Sequence, residues 1–412
     1  MARQLGSPFW LLMVWLVMGL MAVAGALCFG GLAACYPEAG GGYVYLREAY
    51  GPRLAFLYGW MQLLVLDPGV TASLAVGMAA YTATVTHLSV GAQKGLGIGV
   101  ILGLAALYIR ETQLGAGFLQ VFAWLKIGAL GLLPVWAIAL RLGDWSQFTP
   151  FIAQRPGSAP LFAALAGSSM AAFYSFGGWW DAAKIAGEVR NPERTMPRAL
   201  TIGVAAVMLV YILVTGVFVY LVPFQRITSD ETFMAQASQR LFGPAGGSIM
   251  AALVDLCVLG SIAALLMLSP RVYFAMARDG LFFQSVAQIH PRYGTPARAI
   301  AVQAILASLL VAIGSFSQIV SYFVFVAVVF LGLTVAGVFR LRADVPGSAR
   351  LRVPGYPYTP LAFLILVALL LVLLAGHNPM QAFLGVAVVI MGIPAFRLVR
   401  EQKKTGLYTH IT

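Results

Sequence analysis

Read for its hydrophobic and polar positions, the chain is a series of long apolar runs separated by short clusters of charge and by glycine-proline turns. The runs cover about 8–35, 54–86, 95–109, 114–140, 161–183, 199–221, 246–270, 299–314, 319–339, 360–375 and 381–396. A helix needs about 20 mostly apolar residues to cross the hydrocarbon core of a bilayer. The pattern therefore predicts an all-α polytopic membrane protein with eleven spans. The first run is longer than the core of a cleaved signal, so it is read as a true span.

One run breaks its own pattern. Leu161 to Leu200 begins as an apolar helix, is interrupted at Tyr174-Ser175-Phe176-Gly177-Gly178-Trp179, resumes, and runs into a turn carrying Glu188, Arg190, Glu193, Arg194 and Arg198. Unpaired backbone groups at membrane depth cost several kcal/mol each unless they line a cavity or bind something. Two adjacent glycines supply no side chain to hold a helix and leave the backbone open to close approach. The half-helix before such a break offers carbonyls, and the half after it offers N–H groups at a positive dipole end. That polarity suits a zwitterion, and discontinuous helices hold substrates in many secondary transporters. The local sequence is equally compatible with a packing kink of small residues against a neighbouring helix.

Composition narrows the class. Hydrophobic residues make up 60% of 412, charged residues 10%, and the mean hydropathy is +0.88, which excludes an ordinary soluble domain. The net charge of +12 does not indicate nucleic acid, because the basic residues are dealt out between spans instead of forming a patch. Alternate loops carry nineteen basic residues against six, with Lys184 counted in the larger set. The larger set marks the cytoplasmic side, which puts the C-terminus inside and Met1 outside. The turn after the break, with Pro192 and Pro197, is expected to interrupt the helix and to pair its acids with arginines of that side.

Candidate chemistry is sparse. Cys28 and Cys35 lie seven apart on one helix face and Cys257 is inside another span, so no disulfide framework is expected. His87, His290, His377 and His410 fall in loops or the tail without ligand spacing, so no metal or cofactor is expected. Acids or histidines clustered at helix ends, as a membrane enzyme needs, are absent from the pattern, and no enzymatic activity is expected. Lys126 stands mid-span between Glu111 and Arg141, where a charge costs at least about 2.5 kcal/mol and requires a partner or a cavity. Asp67 precedes Pro68-Gly69, where it could cap or kink a helix, and Asp255 could lie near a vestibule. Asp181, three residues beyond Gly178, is the acid nearest the break.

Four strings, in order along the chain, resemble one family. PEAGGGYVYLREAYGP (37–52) is similar to the loop after the second span of amino acid–polyamine–organocation permeases. AGEVRNPERTMPRAL (186–200) is similar to the loop after their sixth span. AMARDG (275–280) followed by HPRYGTP (290–296) resembles the loop after their eighth, and VPGYP (353–357) resembles the segment before their eleventh. The sixth-span pattern points to the L-amino-acid transporter branch.

The resemblance implies a LeuT-type fold: two inverted repeats of five helices plus two peripheral helices, with the first helix of each repeat broken at the substrate. Here 1–140 reads as an incomplete first repeat of four spans, 161–339 as the second repeat, 360–396 as the peripheral pair and 397–412 as a cytoplasmic tail. Met1 to Pro8 resembles the end of the family's first helix, so that helix is expected to be missing and the chain as written to transport poorly. The break makes Tyr174, Ser175, Phe176, Gly177, Gly178 and Asp181 the expected substrate-binding residues, and the resemblance implies that Tyr174 holds a gating position. A coupling role falls to Lys126, whose partner would be Ser261. The implied function is secondary active transport of amino acids across the cytoplasmic membrane by alternating access. Transport of polyamines or other organic cations, or an inactive fragment, remain the alternatives. The expected partners are an amino acid and the lipid bilayer, with no nucleic acid. Animal relatives of the branch are joined by a disulfide to a heavy subunit through the loop after the third span. The matching loop, 85–94, has no cysteine, so no such subunit is expected.

Overall fold

The structure is a computed structural model and describes residues 1–110, 112–223, 227, 233–314, 316–344, 351–377 and 379–404. Glu111, Arg226, Arg350 and His410 lie outside these residues. The described chain is helical throughout, beginning with a single turn, α1 (Ala2–Leu5), which packs on the later helix α8. Gly6 is left-handed, and Ser7 caps α2 (Pro8–Cys35), where Pro8 supplies the fixed φ favoured at a first helical position. A short amphipathic helix, α3 (Gly42–Tyr50), leads into α4 (Pro52–Met61).

α4 continues through a π-helical turn, Gln62–Leu66, into α5 (Asp67–Thr86). Pro68 has no N–H for the ladder, and the wider turn directly before it absorbs the lost bond. There follow α6 (Val90–Arg110), α7 (Thr112–Ala139), α8 (Leu161–Phe176), a 3₁₀ segment over Trp179–Glu188, and α9 (Pro192–Leu221). The second half contains α10 (Phe233–Phe242), α11 (Gly246–Leu268), α12 (Pro270–Arg278), α13 (Ala297–Ile313), α14 (Phe316–Asp344), α15 (Tyr358–His377) and α16 (Pro379–Lys404). Among the described residues nine helical stretches are long and apolar enough to cross a membrane, and Ala297–Ile313 and Gly385–Val399 are shorter apolar helices.

Helix packing follows the small residues. α2 lies along α9, and a Cβ on Gly30 would stand 2.7 Å from the Pro197 Cα, so only glycine permits that approach. α5 packs on α11 and α13, while α14 bridges α3, α5 and α15. The core carries Phe29, Tyr43, Tyr45, Phe56, Tyr108 and Tyr273 fully buried.

Two expectations about the charged turn need correction. Pro197 does not interrupt the helix: α9 starts at Pro192 and passes through Pro197 near its N-terminal end, where a single missing N–H is tolerated. Lys184 does not belong to the exposed basic set, because its side chain is fully buried.

Candidate functional site

The interruption is shorter than the sequence pattern suggests. α8 stays helical through Phe176, and the break is made by Gly177 and Gly178. Gly178 sits at φ 101°, a left-handed conformation that strains any residue with a Cβ. The Gly177 N–H donates to the Tyr174 carbonyl at 3.1 Å, and the Asp181 N–H donates to the Gly178 carbonyl at 3.0 Å. The chain then resumes as a tight 3₁₀ helix in place of the expected α-helix.

Neighbouring helices hold the two sides of the break. From α9, the Tyr211 hydroxyl donates to the Ser175 carbonyl at 2.8 Å, which occupies part of the acceptor capacity at the end of α8. From α5, Ser73 Oγ lies 2.9 Å from the Tyr174 hydroxyl. Phe173 stacks on Trp180 across the break with ring centroids 5.8 Å apart. Phe176 turns the other way, against Trp15 and Tyr211.

Beside the break lies a cavity of about 420 Å³. Tyr174, Ser175, Gly177, Gly178 and Asp181 line one wall; Asp67, Val70 and Leu74 of α5 line a second; Ser261, Leu265 and Leu268 of α11 line a third. The structure thus brings six of the sequence-predicted residues onto one cavity. Phe176 buttresses the wall from behind, and Lys126 stands behind α11, where its Nζ donates to Ser261 Oγ at 3.0 Å. Ser261 Oγ in turn donates to the Cys257 carbonyl at 3.1 Å.

Next to the cavity is a charge cluster that the sequence pattern missed. Lys184 Nζ donates to Asp67 Oδ1 at 2.9 Å, lies 2.7 Å from Asp181 Oδ1, and reaches Ser269 Oγ at 3.4 Å. The Tyr273 hydroxyl donates to Asp67 Oδ2 at 2.7 Å. The cluster joins the 3₁₀ segment to α5 and to the junction of α11 with α12. Asp67 is therefore an ion-pair partner and not simply a helix cap. Gly40 and Gly41 lie on the same segment: the Gly40 N–H donates to the Lys184 carbonyl at 3.0 Å, and a Cβ on Gly41 would stand 3.0 Å from the Lys184 nitrogen.

A second network closes the end of the bundle that carries α3. Arg47 bonds Asp279 at 2.7 Å, Glu48 at 2.9 Å and Glu38 at 3.0 Å, and Arg271 bonds Glu188 at 3.1 Å. The Tyr43 hydroxyl donates to Asp279 at 2.8 Å; burial, reinforced by the Asp279 carboxylate, pushes that phenol well above its ordinary range. Among the described residues no group of three or more His, Cys, Asp or Glu is placed to hold a metal, and Cys28, Cys35 and Cys257 form no disulfide.

A bundle of apolar spans with an interrupted helix opening on an internal cavity defines a multi-pass membrane transporter. The profile of the amino acid permease family matches residues 2–394, and the chain belongs to that family, in the L-amino-acid-transporter-like branch of the amino acid–polyamine–organocation superfamily. Membership implies a LeuT-type fold. The serine/threonine exchanger SteT of Bacillus subtilis (strain 168) is 29% identical over 404 residues, covering 95% of this chain and 89% of the relative. The human cystine/glutamate transporter is 26% identical over 412 residues, covering 96% and 79%. The human large neutral amino acids transporter small subunit 2 is 25% identical over 402 residues, covering 95% and 74%. The protein is an amino acid permease or exchanger and not an enzyme.

Proposed function

We propose that the transported amino acid is held at the interruption of 174–178, in the cavity lined by Tyr174, Ser175, Gly177, Gly178 and Asp181. The observation that carries this reading is that the glycine-built break and the cavity coincide. Where α8 ends, its last carbonyls suit an ammonium, and the N–H groups that start the 3₁₀ segment suit a carboxylate. Tyr174, tethered to Ser73 of α5, is the gating aromatic, and Phe176 keeps the wall rigid through Trp15 and Tyr211.

Lys126 supplies a positive charge beside Ser261 and stands in for a coupling cation, so transport runs without sodium. In this reading α2, α4–α5, α6 and α7 are helices of the first inverted repeat, α8 to α14 form the second, and α15 and α16 are peripheral. The protein works in the cytoplasmic membrane with its C-terminus inside and without a disulfide-linked heavy subunit, since 85–94 holds no cysteine. Equilibrium binding of radiolabelled amino acids to the purified protein tests the site. Gly177→Leu is expected to abolish binding by filling the approach to the backbone; unchanged affinity in that variant would place the substrate elsewhere.

A further inference from the structure

A groove separate from the amino-acid cavity lies on the bundle surface between α4 and α16. It encloses about 320 Å³ and is lined by Arg53 and Leu57 of α4 and by Ile393, Phe396 and Arg397 of α16. Arg53 and Leu57 are four residues apart, as are Ile393 and Arg397, so each helix turns one face toward it. At Gly392 the two helices are pressed together: an added Cβ would stand 2.8 Å from Leu57 Cδ2 and 3.0 Å from Trp60 Cδ1. The Trp60 indole N–H donates to the Val388 carbonyl at 3.2 Å, and the buried Phe396 packs on Phe56 with ring centroids 5.3 Å apart. These contacts join the helices and give the groove a packed apolar floor.

Its rim is charged without compensation. Arg53 and Arg397 are both exposed, and among the described residues neither guanidinium has an ion-pair or hydrogen-bond partner. Other arginines of the bundle are engaged: Arg47 bonds Glu38, Glu48 and Asp279, and Arg271 bonds Glu188. Two cations facing one groove with no acid between them favour an anion there, and a guanidinium fork matches phosphate oxygens. The rest of the lining, Leu57, Ile393 and Phe396, is apolar and offers nothing to a free inorganic anion. An acyl chain, by contrast, gains from burying against it.

We propose that this groove binds an anionic phospholipid, with the headgroup phosphate held by Arg53 and Arg397 and an acyl chain laid along Leu57, Ile393 and Phe396. The lipid ties α16 to α4, whichever site holds the amino acid. A basic pocket between spans suits anionic headgroups, whereas a zwitterionic phospholipid carries a cation beside its phosphate and gains less from the two arginines.

Native mass spectrometry of the detergent-solubilised full chain, titrated with dioleoyl phosphatidylglycerol or with dioleoyl phosphatidylcholine, tests it. The first phosphatidylglycerol should bind at least about tenfold more tightly than phosphatidylcholine, a threshold equal to about 1.4 kcal/mol. The double variant Arg53→Gln/Arg397→Gln should lose that preference. Arg194→Gln/Arg198→Gln, which removes two exposed arginines of α9 outside the groove, should keep it. Equal affinity of the unaltered protein for the two lipids overturns the proposal without any variant. A preference that survives in Arg53→Gln/Arg397→Gln, or that is lost to the same degree in Arg194→Gln/Arg198→Gln, overturns it as well. So does displacement of phosphatidylglycerol by inorganic phosphate at matched ionic strength, which would mark a site for small anions and not for a lipid.

Discussion

Lys126 and Lys184 are both lysines set in apolar spans, and their surroundings differ in kind. Lys126 is half-buried and donates to one neutral hydroxyl, that of Ser261. Lys184 is fully buried among two carboxylates and a hydroxyl, Asp181 from its own segment and Asp67 and Ser269 from other elements. One hydrogen bond to a hydroxyl is a tether that can be exchanged as helices shift. An enclosed ion cluster is a clamp, since removing one member leaves the others charged and without solvent. How firmly a lysine in this core is held follows from the number and charge of its partners.

The largest effect should follow from breaking the clamp. Lys184→Met keeps the apolar stem but leaves Asp67 and Asp181 facing each other, a loss of about 3–5 kcal/mol for an orphaned buried charge. A thermal melt of the detergent-solubilised protein should fall steeply, and Asp67→Asn added to the same variant should recover part of the loss. An unchanged melt would mean that the cluster contributes no stability. A smaller effect, of about 1–3 kcal/mol, is expected for Gly41→Ala, because its φ of 53° and the nearby Lys184 backbone both oppose a Cβ. The melt of that variant should lie between those of Lys184→Met and the unaltered protein.

The smallest effect on stability belongs to Lys126→Ala, which removes one bond to a neutral hydroxyl worth about 1 kcal/mol. Its signature should be functional instead. In proteoliposomes the unaltered protein should take up or exchange amino acids at a rate that a sodium gradient leaves unchanged, and Lys126→Ala should slow that rate while lowering the melt only slightly. Steep sodium dependence of the unaltered protein would contradict the role given to this lysine.

How much of this was legible in the sequence depends on the distance between partners. Lys126 stands out because it is alone in an apolar run. Lys184 does not, because it borders the charged string Glu188 to Arg198, and its partner Asp67 is 117 positions away. Asp67 could be read as a cap for the same reason: Pro68 beside it offers a sufficient local explanation. The break at Gly177-Gly178 was legible, since two glycines have few uses in an apolar span. The 3₁₀ geometry that follows was not, because Trp179 to Glu188 carries no local signal against an α-helix. Tyr211 and Ser73 fix the break from other helices, and periodicity within one run holds no trace of such contacts.

With the amino acid proposed to sit at the end of α8, Ser175 is the residue to interrogate. Its side chain bonds the Ala171 carbonyl at 2.9 Å and lines the cavity, so Ser175→Cys conserves shape. With Cys28, Cys35 and Cys257 replaced by alanine, the rate at which a small methanethiosulfonate reagent modifies this single thiol can be followed with and without saturating amino acid. Occupancy of the site predicts that bound substrate slows the modification severalfold. Modification at the same rate in both conditions, in a variant that still binds amino acid, would contradict the placement of the substrate at the break.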